Sequence, residues 1–166
     1  KIKSRLLERL GGRYKTLAFH VVSEIYHGNI KTQEAFEDWF SNSLASYQNQ
    51  LFDGDVVNGV IDALSQCRAI VFGKDGYETT AVGKIASMFY YSPFDVADLK
   101  SNFYWLFKNS SEYNDHSASM AIADIDTYKW GICSNQEKTE MTRYHAEIDN
   151  IYGQGRFKNS VIKTGF

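Results

Sequence analysis

The sequence predicts a mostly α-helical protein with one small β-hairpin. Three observations lead to this fold class. Proline occurs once among 166 residues, so helices have few obligatory stops. Apolar residues recur every three or four positions through most of the chain, and aromatic residues reach 15%, enough for a core built largely of rings. Two short β-compatible runs flank a turn that contains Asp75-Gly76.

Three amphipathic helices are predicted before the hairpin. In the first, Gly28 stands where the residue after a helix C-cap belongs, and the apolar positions are Tyr14, Leu17, Ala18, Val21, Val22 and Ile25. Thr32 is a favourable N-cap for the second, whose apolar stripe comprises Phe36, Trp39, Phe40 and Tyr47. Asp53 is expected to cap the third, whose apolar residues are Val57, Val60, Ile61 and Leu64.

The hairpin is predicted over residues 69–72 and 77–80. Helical spacing resumes after it and ends at Ser92-Pro93, because the residue before a proline disfavours the helical conformation. Three helices followed by a two-stranded wing is the element order of a winged-helix domain.

The single proline divides the chain into two predicted domains. Residues 1–92 form the winged-helix domain, and residues 93–166 form a helical domain that is an incomplete bundle. Three helices are expected there, around 99–106, 118–128 and 135–152. The last begins at a capping box formed by Ser134 and Glu137, and the tail from Gly153 has no clear period.

Composition excludes several classes of protein. The formal net charge of −2 gives no general basic excess of the kind that marks nucleic-acid-binding domains. Two cysteines, Cys67 and Cys133, cannot form a disulfide framework, which favours a reducing intracellular compartment. No apolar run approaches 18 residues, so no membrane partner is expected. The chain begins with Lys1 rather than Met, which predicts a fragment of a longer protein.

A pattern of seven residues closes the first half of the chain: Thr80, Gly83, Ala86, Ser87, Tyr90, Tyr91 and Pro93. It resembles the winged-helix signature of superfamily 2 DExH-box helicases of the repair, RNA-processing and spliceosomal group. Val82 stands where that family usually has Leu. Weaker similarities over residues 17–25, 32–43 and 56–69 follow in the family's order, so the resemblance spans about residues 5–107.

The resemblance implies an accessory C-terminal region of an ATP-dependent DNA or RNA helicase. In that family the winged helix follows two RecA-like motor domains, and a helix of the next bundle lies along the unwound strand. The implied partners are therefore nucleic acid and the motor domains of the same chain. ATP and magnesium are expected in those motor domains, because Gly73-Lys74 and Gly83-Lys84 lack the Ser or Thr that completes a phosphate loop. The chain alone is expected to be catalytically inactive, with no catalytic, cofactor or metal-binding residue.

Contacts to a nucleic-acid strand are predicted at Arg143, Arg156 and Lys158. Aromatic residues are interleaved with these cations, as in grooves that bind single strands. The alternative is that these three cations are ordinary solvent-exposed charges that lie over an aromatic core. The alternative function is a stand-alone winged-helix module that binds protein or nucleic acid. Residues 56–66 contain no Lys or Arg, which argues against a DNA-reading third helix.

The histidines, Cys67 and two tyrosines are predicted to have structural rather than catalytic or binding roles. The histidines, such as His20 and His27 on the first helix, are expected to be surface or capping residues. Cys67 is expected to be buried and structural. Tyr90 and Tyr91 are expected to pack in the core or against a neighbouring domain rather than to stack on bases.

Overall fold

The computed structural model describes residues 2–10, 12–109, 113–125, 134–153 and 157, without the side chains of Lys138 and Met141. These residues are mostly helical and contain one two-stranded antiparallel sheet, which confirms the predicted fold class. The elements in chain order are α1 (Lys15–Tyr26), α2 (Gln33–Ser41), α3 (Leu44–Tyr47), α4 (Gly54–Gln66), β1 (Ile70–Gly73), β2 (Gly76–Thr79), α5 (Ala81–Phe89), α6 (Pro93–Lys108), α7 (Asp115–Ala123) and α8 (Asn135–Tyr152).

The chain divides into two compact units, Lys1–Ala97 and Asp98–Phe166. The predicted boundary lies at Pro93, where α6 begins, and the division in the structure falls within α6. Phe94 and Val96, near the start of α6, belong to the core of the first unit. Each unit therefore has its own hydrophobic core.

Helix α1 packs against α4, α5 and β2 in the first unit. Its buried residues are Leu17, Ala18, Val21, Val22 and Ile25. These are the predicted apolar positions, apart from Tyr14, which is half-buried. The helix ends as predicted, because Gly28 follows the C-cap with a φ of +80° that favours glycine.

The second predicted helix is two helices in the structure. Thr32 caps α2 as predicted, and its hydroxyl accepts a hydrogen bond of 3.2 Å from the backbone N–H three residues later. Ser43 caps the separate helix α3 in the same way, also at 3.2 Å. The prediction that Tyr47 joins the buried stripe is wrong, since its side chain is 85% exposed. Polar side chains at residues 41–43 compete for backbone hydrogen bonds, so the helical period of α2 stops there.

Helix α4 begins at the predicted cap. The carboxylate of Asp53 accepts a hydrogen bond of 3.1 Å from the N–H of Val56. The buried residues of α4 are Val56, Val57, Val60, Ile61 and Leu64. Their side chains join those of α1 in the first core.

The hairpin is confirmed, with Lys74 and Asp75 in the turn between β1 and β2. It is also joined to the segment between α1 and α2, because the N–H of Tyr77 donates to the carbonyl of Lys31 (2.8 Å). Gly76 has a φ of +112°, and the Lys31 carbonyl occupies the space that a Cβ at this position would need. Only glycine fits this conformation and this close approach together.

The start of α5 is fixed to the chain just before β1. The N–H of Thr80 donates to the carbonyl of Ala69 (2.9 Å), and its hydroxyl donates to the carbonyl of Arg68. Gly83 lies against the same Ala69 carbonyl and leaves no space for a Cβ. One turn later, the Ser87 hydroxyl donates to the carbonyl of Gly83 in its own helix (2.9 Å) and also lies 3.3 Å from a backbone carbonyl of α1. Thr80, Gly83 and Ser87 therefore hold α5 against the core.

The second unit has a core in which side chains of α6, α7 and α8 meet Phe157. The buried residues of this core are Leu106, Met120, Ala121, Ile148, Tyr152 and Phe157. The ring of Trp105 meets the Tyr152 and Phe157 rings edge to face, at centroid distances of 6.2 and 5.8 Å. Asn102 is also buried, and its amide donates to a carbonyl of α7 (3.1 Å) and to Asp124 (3.2 Å). These bonds satisfy the polar group that α6 brings into the core.

Helix α8 begins at the predicted capping box. The Ser134 hydroxyl accepts from the N–H of Glu137 (3.2 Å), and the Glu137 carboxylate accepts from the N–H of Ser134. Two hydrogen bonds from Ser134 hold the pKa of the Glu137 carboxyl below its ordinary 4.5. The bond from the backbone of Ser134 has the larger effect, and the bond from its side chain has the smaller effect. The helix predicted over residues 118–128 differs, because α7 ends at Ala123 and Tyr128 lies outside the described residues.

The burial of Tyr77 leads to a prediction about pH. Desolvation, and to a smaller extent the charge of Glu34, raises the pKa of Tyr77 above 10.0. Protonated Tyr77 therefore contributes stability that is complete below the pKa of the unfolded chain and is lost as pH rises through the raised pKa. We expect the free energy of unfolding to fall less steeply above pH 10 in Tyr77→Phe than in the unsubstituted chain. Urea denaturation at a series of alkaline pH values measures this slope. The control is Tyr47→Phe, and an equal slope in both variants would contradict the prediction.

Candidate functional site

The C-terminal part of α5 exposes a group of apolar side chains. Val82, Gly83 and Ala86 face the core. By helical spacing, residues 85 and 88 lie on the other side. Residue 89 lies beside the buried side but is exposed at the end of the helix, and two tyrosines follow it. We define the α5 face as these five exposed residues: Ile85, Met88, Phe89, Tyr90 and Tyr91. Their exposed fractions run from 45% to 82%, and clustered apolar exposure of this kind marks protein-binding surfaces.

Tyr90 has an unusual backbone conformation at the end of α5. Its φ is +58°, in the left-handed region, which costs about 1–2 kcal/mol for a residue with a Cβ. The N–H of Tyr91 donates to the carbonyl of Ala86 (3.1 Å) and closes the last turn. The Tyr90 ring lies 6.2 Å from the Phe19 ring, yet the side chain is 82% exposed. The expectation that Tyr90 and Tyr91 pack in the core is wrong, and packing against another domain stays a prediction.

Of the three residues predicted to contact a nucleic-acid strand, the structure describes Arg143. Arg156 and Lys158 lie outside the described residues. Arg143 is exposed on α8, where its Nε lies 3.8 Å from the Glu147 carboxylate and its guanidinium lies 5.3 Å from the centroid of the Tyr144 ring. Glu147 reduces the attraction that Arg143 has for phosphate, so the assignment of the three residues stays a prediction.

The exposed side of α4 is acidic and polar. Its exposed side chains include Asp55, Asn58, Asp62 and Gln66. Proteins that read DNA with a helix usually anchor it with Lys or Arg at phosphates and base edges. Helix α4 therefore lacks the cations that such a surface usually carries.

The described residues offer no phosphate loop for ATP and magnesium. Gly73-Lys74 lies at the tip of the hairpin, and Gly83-Lys84 lies inside α5. A phosphate loop instead places several backbone N–H groups in a glycine-rich turn before a helix. These two segments do not fit the phosphates of a nucleotide.

Histidine and cysteine form no candidate reactive centre among the described residues. No three His, Cys, Asp or Glu side chains within them are placed to hold a metal ion. His20 on α1 and His27, the residue that follows α1, are exposed. Cys67 is half-buried rather than fully buried, and its thiol donates to a carbonyl of α4 (3.3 Å). Cys133 lies outside the described residues.

Comparison with known proteins gives no family. No family model matches the chain, and a search of curated proteins found no match. A search of the described helices for a membrane span also found none of sufficient length and apolarity.

Proposed function

We propose that the chain is an accessory C-terminal region of an ATP-dependent DNA or RNA helicase of the DExH-box class. In this proposal the first unit braces the RecA-like motor domains, and the helices after Pro93 help to hold the unwound strand. ATP and magnesium would bind in the motor domains, since this chain has no phosphate loop. The chain itself carries out no chemical step.

The observation that carries the bracing role is the α5 face. Five large apolar or aromatic side chains within residues 85–91 are exposed at the end of α5, and three of them are aromatic. Aromatic residues are enriched where protein interfaces bury surface, and they often supply most of the binding energy. A domain of the same polypeptide is the partner that the resemblance to helicases implies.

The residues of the family-like motif fall into two groups, which supports the same role. Thr80, Gly83 and Ser87 make contacts within the first unit that explain their residue types. Tyr90 and Tyr91 are mainly exposed, and Tyr90 adopts a conformation that glycine would adopt at lower cost. Stability of the unit does not account for these tyrosines, whereas contact with a second domain would.

The coding region around this chain tests the proposal directly. We expect the same open reading frame to encode a phosphate loop and a DExH box upstream of Lys1. A start codon immediately before Lys1 would overturn the helicase assignment. It would favour the stand-alone winged-helix module, for which the acidic α4 argues against DNA reading and the α5 face argues for a protein partner.

A binding experiment tests the bracing role. We expect the double substitution Phe89→Ser and Tyr91→Ser to weaken association with separately produced motor domains by about 100-fold, because buried aromatic residues dominate interface energies. Titration calorimetry measures the dissociation constant. The matched control is Tyr47→Ser, a tyrosine that is 85% exposed on α3. Equal affinities of the double variant and the control would remove the α5 face from the interface.

A further inference from the structure

Helix α6 presents a second exposed surface in the Asp98–Phe166 unit, and it differs in chemistry from the α5 face. We define the α6 face as Lys100, Tyr104, Phe107 and Lys108. At 3.6 residues per turn, these four side chains fall within an arc of about 100° around the helix. Tyr104 is 65% exposed and Phe107 is 63% exposed, and both lysines are exposed.

The lysines and rings of the α6 face are interleaved. Lys100, Tyr104 and Lys108 follow one another at intervals of four residues, so they form a row of about 12 Å along the helix. The Lys108 Nζ lies 5.8 Å from the centroid of the Tyr104 ring. The Phe107 ring is 5.5 Å from that of Tyr113, which supports it from beside the helix.

The α6 face carries positive charge, and no acidic residue of α6 lies on the same side of the helix. No ion pair joins Lys100 or Lys108 to another described residue. The acidic residues of α6 are Asp95 and Asp98, and helical spacing places both on other sides of the helix. This differs from Arg143 on α8, which is close to Glu147.

The combination of lysines and exposed rings on the α6 face favours one class of binding partner over others. An apolar protein surface would have to desolvate two lysine ammonium groups, which is costly without anionic partners. A single nucleic-acid strand supplies phosphates for the lysines and base faces for the exposed rings. Duplex DNA hides its base faces in the stack, so it would leave Tyr104 and Phe107 without that contact.

We propose that the α6 face binds single-stranded nucleic acid, with Lys100 and Lys108 contacting phosphates and with Tyr104 and Phe107 stacking on bases. This inference rests on the strand-holding part of the proposed function and assigns it to residues outside the predicted set of Arg143, Arg156 and Lys158. Stacking tolerates any base, so the binding is expected to show little sequence preference.

The test measures binding of the full chain to fluorescein-labelled oligothymidine and oligouridine by anisotropy at several salt concentrations. We expect the double variant Lys100→Gln and Lys108→Gln to lower the slope of log affinity against log salt by about 1.4, since each phosphate contact on a single strand contributes about 0.7. We expect Tyr104→Ala to weaken binding about 5-fold to 150-fold, the range for alanine substitution at one stacked base. Tyr104→Phe keeps the ring and should retain the affinity.

Matched substitutions outside the α6 face serve as controls. Lys31→Gln with Lys84→Gln removes two exposed lysines of the first unit, and Tyr47→Ala removes an exposed tyrosine. Arg143→Ala tests the residue predicted from the sequence. Circular dichroism confirms that each variant keeps its helical content, which is expected because the substituted side chains are exposed.

Each result decides the inference. Loss of affinity and of salt slope in the α6 variants alone supports it. It is overturned if the full chain binds neither oligonucleotide at low salt, if the α6 variants match the controls, or if Arg143→Ala alone reduces binding. It is also overturned if duplex competes as well as single strand. The helicase proposal depends on the upstream coding region instead, so either can fail without the other.

Discussion

Phe36→Ala should lower the free energy of unfolding of the first unit by about 3–5 kcal/mol. Phe36 on α2 is fully buried, and its ring packs edge to face against Phe52 at 5.5 Å and near Trp39 at 6.3 Å. Alanine removes the apolar contacts and leaves a cavity that rigid neighbours fill only in part. Domains of this size are stable by only about 5–15 kcal/mol, so the variant is expected to be close to unfolding. Urea denaturation followed by circular dichroism measures the loss.

Phe89→Ala is the matched control for Phe36→Ala. It makes the same substitution in a helix of the same unit, at a side chain that is 62% exposed on the α5 face. We expect a change within about 0.5 kcal/mol, as for surface positions in general. A loss as large as that of Phe36→Ala would mean that Phe89 supports the fold, which would weaken the argument that the α5 face is reserved for a partner.

Gly76→Ala should lower the free energy of unfolding by about 2–3 kcal/mol. The φ of +112° strains any residue with a Cβ by about 1–2 kcal/mol. The new methyl group would also meet the carbonyl of Lys31, so the hydrogen bond of 2.8 Å between Tyr77 and Lys31 must lengthen or break. A hydrogen bond of this kind contributes about 0.5–1.5 kcal/mol. Thermal and urea unfolding of the variant measure the combined loss.

Gly73→Ala is the control for Gly76→Ala, because Gly73 pairs with Gly76 across the hairpin. Gly73 has no positive φ, and the space beside it is occupied by the carboxylate of Glu78, whose exposed side chain can rotate away. We expect little loss of stability. Equal losses in the two variants would show that the hairpin tolerates no added methyl group at either end, and that the Lys31 carbonyl is not the cause.

The sequence predicted the fold best where a helix signal is local. Thr32, Asp53 and Ser134 are caps in the structure because one side chain and one N–H group three residues later define each signal. The stripe ending at Tyr47 was misjudged, because Ser and Asn are compatible with both a helix interior and a helix end. The bond between Lys31 and Tyr77 was not predictable from local patterns, since its two residues come from distant segments.

The candidate surfaces were harder to predict than the fold. Helical spacing places Phe89 with Val82, Ile85 and Ala86, but spacing alone does not distinguish a core from an interface. The structure makes that distinction, because the side of α5 that contains Gly83 is buried against Ala69. The row of Lys100, Tyr104 and Lys108 is visible in the sequence as a period of four, yet its meaning depended on which side of α6 faces solvent.

The contact between Lys31 and Tyr77 has a consequence for the order in which the first unit folds. A two-stranded hairpin is at best marginally stable alone in water, so β1 and β2 persist only once the connection after α1 has docked. Closing the loop between residues 31 and 77 costs entropy that the short hairpin cannot recover by itself. The hairpin should therefore form together with the helical core in one cooperative step, and the amide hydrogen of Tyr77 should exchange with solvent only when that whole core opens.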